Sequence, residues 1–338
     1  MNPNWQEFLG AAGARIDNAL VADFGDLAAE LAAARDATVI APLVHLGLLE
    51  CSGEEAKTFL HNQVTSDINH LGADAAQHSA WCSAKGRMLA SFLLARSGPD
   101  YLVQLSADLV PTIQKRLQMF VLRAKVKIAD LTGTRELIGL SGPQAEAALL
   151  GAGLPVPAKA LETAPFIDGK VVRLDERRFE IVVGCAAAPA LWRQLAAAAR
   201  PVGTPVWQWL DVQAGIPLIG EATKEEFVPQ MANFDRIGGV SFHKGCYPGQ
   251  EVIARTQYLG KVKRHLYRIS ASTPLAAGNP IFSPENPEHA CGMVAIAAPA
   301  PAGGFVGLAV VQENFVESRD LELGAPGGQR IAIEPVSL

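Results

Sequence analysis

An α+β fold that ends in a small antiparallel β-barrel is predicted by three features of the sequence. Between residues 38 and 200, candidate strands and helices recur in a strand–helix–strand–strand–helix order, which suits antiparallel pairing. No GxGxxG follows a strand and no Walker A sequence occurs, which argues against a doubly wound nucleotide-binding sheet. After His265 the stretches LYRIS, PIFS, CGMVAIA, FVGLAVV and IAIEPV are short, β-rich and separated by Gly, Pro and Asn. That is the texture of a small barrel.

The elements follow in order. Residues 1–37 are alanine-rich with periodic Leu and Ile, and are expected to form one or two helices that pack on the body. VIAPLVHLGLLEC reads as one or two strands. Ser52 and Glu55 then have capping-box spacing ahead of a helix with Ala56, Phe59 and Leu60 on its buried face. HSAWCSAKGRMLASFLLAR reads as a hairpin turning at Lys85-Gly86, followed by the strand YLVQL. Pro111 suits the first turn of the helix PTIQKRLQMF, and KVKIAD closes this unit as a strand. ELIGL, a second capping box from Ser141 to Gln144, the strands KVVRLD and FEIVV, and the helix APALWRQLAAAAR complete the α+β part. Three regions are predicted: a helical extension over 1–37, an α+β body over 38–265 and a barrel over 266–338.

Composition narrows the function. The chain has 338 residues, about half of them apolar (49%) and under a fifth charged (19%), which is ordinary for a globular protein with two or three domains. The net charge of −5 means that any nucleic-acid contact must use a local basic patch. Cys51, Cys82, Cys185, Cys246 and Cys291 are dispersed, odd in number and form no CxxC pair, so neither a disulfide framework nor a structural metal site is expected. The N-terminal residues lack a basic and an apolar signal region, and no stretch approaches the ~18 unbroken apolar residues of a membrane span. A cytoplasmic protein with no membrane association, acting as a monomer, is the expectation.

The unusual residues gather between Trp207 and Ile269, where seven glycines punctuate polar sequence. Residues 243–256 read HKGCYPGQEVIART. Pro248 is placed to open a helix, with Cys246 just before its N-terminus. A helix N-terminus and the neighbouring Lys244 both favour a thiolate, so Cys246 and Lys244 are candidate catalytic residues. The same cysteine also fits a small buried hydrophobe. His243 is a weak candidate base, and Glu251 is explained equally by the helix dipole. Lys261, Lys263, Arg264, His265 and Arg268 form a basic run that suits either a solvated face or an RNA backbone. Of Trp207 and Trp209, one is expected in the core and the other against a heteroaromatic ligand.

KGCYPGQE, with FVPQMANFD and GGVSFHKG before it and Arg255 after it, resembles the signature of the YgfZ-type folate-binding proteins. The resemblance extends to LLECSGEEAKTFLHNQVTSDI, CSAKGRM and LDVQAGIPLIG, and so covers most of the chain from residue 38. The family is similar in fold to the glycine cleavage T-protein. The resemblance therefore implies a three-domain cloverleaf, with two α+β domains interleaved along the chain and a C-terminal β-barrel. It implies tetrahydrofolate as the ligand and Trp207 and Gln213 among its contacts, with Leu46 where some relatives carry a second tryptophan. It also implies that Gly245, Tyr247, Gly249, Gln250, Glu251 and Arg255 are motif residues around Cys246. Its partners would be iron–sulfur enzymes or their assembly proteins, including enzymes that modify tRNA.

Two departures bear on that ligand. Gln213 stands where these proteins commonly carry Glu, and an amide offers one acceptor and two donors where a carboxylate accepts twice. Leu46 removes a possible stacking face. Asp108 lies near the place of the T-protein's catalytic Asp but lacks its flanking motif. The leading expectation is an accessory protein for maturation or repair of iron–sulfur enzymes, acting through Cys246. The alternative is a tetrahydrofolate-dependent one-carbon transferase or demethylase using Asp108 or Glu251, and a third reading is a binding module that contacts RNA or a partner through Lys261–Arg268.

Overall fold

The computed structural model describes residues 1–318 and 320–337. These form two compact units, each assembled from separate stretches of chain. One comprises Met1–Ala56, His70–Gln77 and Leu93–Trp207; the other comprises Lys57–Asn69, His78–Phe92 and the chain from Gln208 onward.

The first unit is built on a six-stranded sheet in the order Thr163–Phe166, Gly169–Arg173, Arg178–Gly184, Arg135–Ser141, Val39–Pro42, Arg200–Pro201. Every pairing is antiparallel except the last, Arg200–Pro201 on Val39–Pro42. Arg178–Gly184 is buried at every position and Arg135–Ser141 at all but the first, which explains their nearly unbroken apolar runs. Helices Pro3–Ala11, Ala145–Gly151 and Ala188–Ala196 contribute Leu9, Leu149, Leu191 and Leu195 to the core of this sheet. Trp5 is 2% exposed and meets Trp192 edge-on at 5.7 Å, so the N-terminal region is core rather than decoration. A second sheet has Leu46–Ser52 flanked by Asp100–Ser106 and Lys127–Asp130, all antiparallel.

Three local expectations are corrected. Residues 1–37 hold two helices, Pro3–Ala11 and Leu27–Asp36, with a hairpin between them, Arg15–Asp17 on Leu20–Asp23. Its turn residues Asn18 and Ala19 both take positive φ, 48° and 63°, without the glycine that normally announces such a turn. The two capping boxes do not form. Ser52 and Ser141 end strands, the Glu55 carboxylate accepts the Lys125 N–H at 2.6 Å, and the Gln144 N–H donates to the Thr38 hydroxyl at 2.8 Å. Tertiary partners thus take the groups that local capping would have used.

In the second unit, strands Arg264–Ala271, Phe305–Gln312, Gly292–Pro299, Pro280–Phe282, Leu321–Leu323 and Gln329–Pro335 close into a barrel in that order. The register slips between Val294 and Ile296, a bulge that bends Gly292–Pro299 around the barrel. One core fills the barrel around Ile269, Ile281, Val294, Val311 and Leu321. A second joins Leu266, Leu308 and Val310 to Cys82, Met88, Phe227, Phe234, Tyr247 and Ile253. That second core carries the 243–256 stretch.

Candidate functional site

Four segments of the second unit meet at KGCYPGQE. The turn Ser83–Arg87 closes with the Gly86 N–H on the Ser83 carbonyl at 2.9 Å and the Ser83 N–H on the Arg87 carbonyl at 2.8 Å. The Met88 N–H donates to the Phe227 carbonyl at 2.8 Å, and the Glu225 N–H donates back to Met88 at 2.8 Å, which fixes FVPQMANFD alongside. From that segment Gln230 is 3% exposed, and its amide donates to the Ile253 carbonyl at 2.7 Å. Thr65 ties in the fourth segment: its hydroxyl accepts the Ala80 N–H at 2.9 Å and donates to the Gly239 carbonyl at 2.6 Å. The Ser241 N–H donates to the Thr65 carbonyl at 2.9 Å.

Gly249 sets where the helix begins. Helix Gln250–Tyr258 has Gly249 at its N-cap with φ 81°, so Pro248 lies ahead of the helix rather than in its first turn. A Cβ at 249 would sit 2.5 Å from the Ser83 carbonyl oxygen and 2.7 Å from the Gly86 Cα. The loop therefore packs backbone-on-backbone against the hairpin, and only glycine permits both the conformation and the approach. Cys246 lies three residues ahead of the N-cap, on the loop rather than at the helix entrance.

Lys244 does not stand beside Cys246 as a spare cation. It is 8% exposed, and its ammonium donates to the carbonyls of His61, Val64 (2.6 Å) and Ser66 (3.1 Å). Three donors meet three acceptors, the full capacity of an ammonium. Burial pushes the Lys244 ammonium down to about 8, and Asp67 works against the fall. The Tyr247 ring, 7% exposed, lies 4.9 Å from the ammonium, and burial holds its phenol well above the usual range. Gln250 donates to the Lys244 carbonyl at 3.4 Å. Lys244 and Tyr247 are thus buried anchors on either side of an exposed Gly245-Cys246 tip. Glu251 and Arg255 are exposed one helical turn apart.

Among the five cysteines Cys246 alone is exposed; Cys51, Cys82 and Cys291 are buried and Cys185 is partly so. Burial pushes Cys51 and Cys185 up to about 12 and Cys291 to about 11, and Cys82 higher still; hydrogen bonding to Glu136 adds to the effect at Cys185. Among the described residues no group of three or more His, Cys, Asp or Glu could hold a metal ion.

Trp207 is 1% exposed, and its ring packs so closely on Gly139 that a Cβ there would lie 2.4 Å from it. The Arg178 guanidinium lies 6.0 Å from the ring centroid. Gln213, six positions on in the same helix, Thr204–Ala214, points about 120° away and is exposed. Leu46 is half-buried at the start of Leu46–Ser52. Its neighbour His45, unremarked in the sequence, is 7% exposed with neither ring nitrogen hydrogen-bonded to a described residue, and burial lowers its pKa to about 4. The basic run is also divided: Arg268 pairs with Glu334 at 3.1 Å and donates to the Gln213 carbonyl, while Lys261 and Lys263 are exposed.

The GCVT N-terminal domain family matches residues 21–241. The tRNA-modifying protein YgfZ of Vibrio vulnificus is 30% identical over 298 residues, 87% of this chain and 90% of that protein. The chain belongs to the YgfZ family. The YgfZ of Escherichia coli O157:H7 is likewise 30% identical over 312 residues, covering 90% of this chain and 94% of its own length. In fold, the chain matches the glycine cleavage system aminomethyltransferase T of Bartonella henselae with a TM-score of 0.82, over 100% of this chain and 97% of that one. At 20% identity that likeness establishes the T-protein fold alone. Among the described residues no helix is long and apolar enough to cross a membrane.

The YgfZ motif loop has two neighbours that sequence reasoning missed. The His61 imidazole lies beside the Asp67 carboxylate, Nδ1 to Oδ1 3.3 Å, and a side chain at Gly245 would meet His61 Nε2 at 3.7 Å. FLHNQVTSD carries both residues, but its helical periodicity accounts for the segment without giving either a role.

Proposed function

We propose that this protein is a tetrahydrofolate-binding accessory factor for the maturation or repair of iron–sulfur enzymes, including those that modify tRNA, and that Cys246 is its working atom. The observation that carries the reading is the construction of the motif loop. Lys244, Tyr247, Gly249 and Gln250 are spent on anchoring it, and what they hold out to solvent is the single exposed cysteine. A packed thiol would need no such scaffold.

Support for a folate is chemical. His45 presents two buried ring nitrogens without a hydrogen-bond partner among the described residues, and buried polar atoms are seldom left so. A ligand with donor and acceptor edges would satisfy them. Leu46, next to His45 in the chain, offers an apolar contact. Trp207 serves this reading as support for the sheet beneath rather than as a stacking face. Tetrahydrofolate, when bound, supplies one-carbon chemistry; the chain's own part is to hold it.

The test is complementation in a strain that lacks the protein, scored by iron–sulfur enzyme activity. Cys246→Ala at normal expression is expected to fail, and full restoration would remove the role given to Cys246. Titration with tetrahydrofolate tests the ligand separately: His45→Phe is expected to weaken binding at unchanged fold, and saturable binding of equal strength in both proteins would exclude His45.

A further inference from the structure

We build here on the reading of Cys246 as the working atom: its thiol stands on an exposed tip, so whatever it acts on must come to the surface around it. The helix that follows the tip, Gln250–Tyr258, supplies much of that surface. Ile253 is buried and fixes the side that faces the core. Val252, Arg255 and the C-cap Leu259 stand at i, i+3 and i+7, within about 60° of one another around the helix. All three are exposed, Leu259 by 86%. Tyr258 beside them is 63% exposed, with its ring edge-on to Phe242 at 6.0 Å.

The strip is continuous with the cysteine loop. A Cβ on Gly86 would lie 3.0 Å from the Val252 Cβ, so the helix runs against the Ser83–Arg87 turn on which Gly249 also packs. Ala84 and Lys85 at the tip of that turn are exposed. Single apolar side chains on a surface are ordinary, but a group of them with a polar rim marks a site of association. The charge of the rim is the second observation. Lys85, Arg255, Lys261 and Lys263 are exposed along it, against Glu251 and Glu313, the latter 3.6 Å from the Lys261 ammonium. The strip is thus locally positive on a chain of net charge −5.

We propose that the strip from Val252 to Leu259 docks an acidic, amphipathic segment of a partner protein and so brings that partner to Cys246. Apolar side chains of the segment cover Val252 and Leu259, and its carboxylates meet Arg255 and the lysines at the rim. RNA fits the strip less well. Aliphatic side chains gain nothing from phosphates, Tyr258 offers one stacking face, and Glu251 repels a phosphate backbone at the end nearest the cysteine.

The probe is a synthetic peptide of leucine and glutamate, patterned as an amphipathic helix and carrying an N-terminal bromoacetyl group. The Cys246 thiolate displaces bromide from carbon, a thioether forms, and the thiol proton goes to the buffer. Mass spectrometry of the full-length protein follows the reaction at Cys246, and Cys246→Ala supplies the blank. Docking raises the local concentration of the bromoacetyl group, so the peptide is expected to react about tenfold faster than bromoacetamide at equal concentration. That gain should shrink with added salt, and a peptide with lysine in place of glutamate should show none. Each variant's rate is divided by its own rate with bromoacetamide, which cancels any change in the thiol itself. Leu259→Ser and Arg255→Glu are expected to cut the gain by about fivefold. Leu122→Ser, in the exposed Met119–Leu122 patch of the other unit, is expected to leave it unchanged. Equal gains in wild type, Leu259→Ser and Arg255→Glu overturn the proposal, and so does an equal gain with the lysine peptide. Protection of Cys246 by poly(U), with no gain for the acidic peptide, overturns it in favour of RNA. Rescue by Cys246→Ala in the complementation assay would instead defeat the functional reading and leave the docking rates as measured.

Discussion

The ammonium of Lys244 donates to the carbonyl oxygen of Val64 at 2.6 Å, across 180 positions of sequence. This contact and its two companions turn a motif lysine into the pin that joins the 61–66 segment to the cysteine loop.

Lys244→Met should therefore destabilise the protein by about 3 kcal/mol, because it leaves three carbonyls without their donor. Lys244→Arg should recover only part, since a planar fork cannot point at three converging carbonyls as an ammonium does. Urea denaturation gives the stabilities, and amide exchange should show protection lost at 61–67 before the barrel strands. A lysine acting only in chemistry would leave both unchanged.

The two motif glycines should behave oppositely. Gly249→Ala places a Cβ 2.5 Å from the Ser83 carbonyl at φ 81°, and should cost about 2–4 kcal/mol. Gly245→Ala meets an ordinary contact and should change stability by less than about 1 kcal/mol. Thermal and urea unfolding of the pair check this directly.

Trp207→Ala should cost about 3–5 kcal/mol through the cavity it opens over Gly139. Under the folate proposal, a loss of binding in that variant reports on the sheet, not on a lost contact. Trp207→Phe, which keeps most of the volume, should retain binding, and calorimetric titration distinguishes the two.

Glu136 supplies a pH test. It is 6% exposed, and burial raises its carboxyl to about 7 from an unfolded value near 4.5, with the Cys185 thiol donating to it at 3.2 Å. The folded state holds the proton more tightly, so stability is full below pH 4.5 and is lost as pH rises through 7. Glu136→Gln removes that dependence. Its advantage over wild type should therefore grow between pH 5 and 8, by on the order of 2 kcal/mol. A constant difference across that range would refute a neutral buried carboxyl.

Much of the fold was legible because periodicity and turn residues act locally. The β-branched runs in KVVRLD and FEIVV, the Lys85-Gly86 turn and the short strands after His265 each announce their element within a few residues. The N-terminal hairpin was not legible, since its turn, Asn18-Ala19, takes positive φ at both positions without a glycine to announce it. The capping boxes at Ser52 and Ser141 failed for a related reason: distant residues, Lys125 and Thr38, engaged groups that the motif assigned to a local partner.

At the site the division is sharper. The sequence alone determined that Cys246 sits in a glycine-rich motif of one family, as the one cysteine of that motif. It could not determine what surrounds the thiol, because Lys244 and His61 are 183 residues apart and meet only when the chain folds. Tertiary structure turned the expected cationic neighbour into a buried anchor, moved the cysteine from a helix entrance to an exposed tip, and set a His–Asp pair beside Gly245. The reason is physical: a hydrogen bond and a close backbone approach depend on distances in space, and sequence spacing constrains those only within a single element.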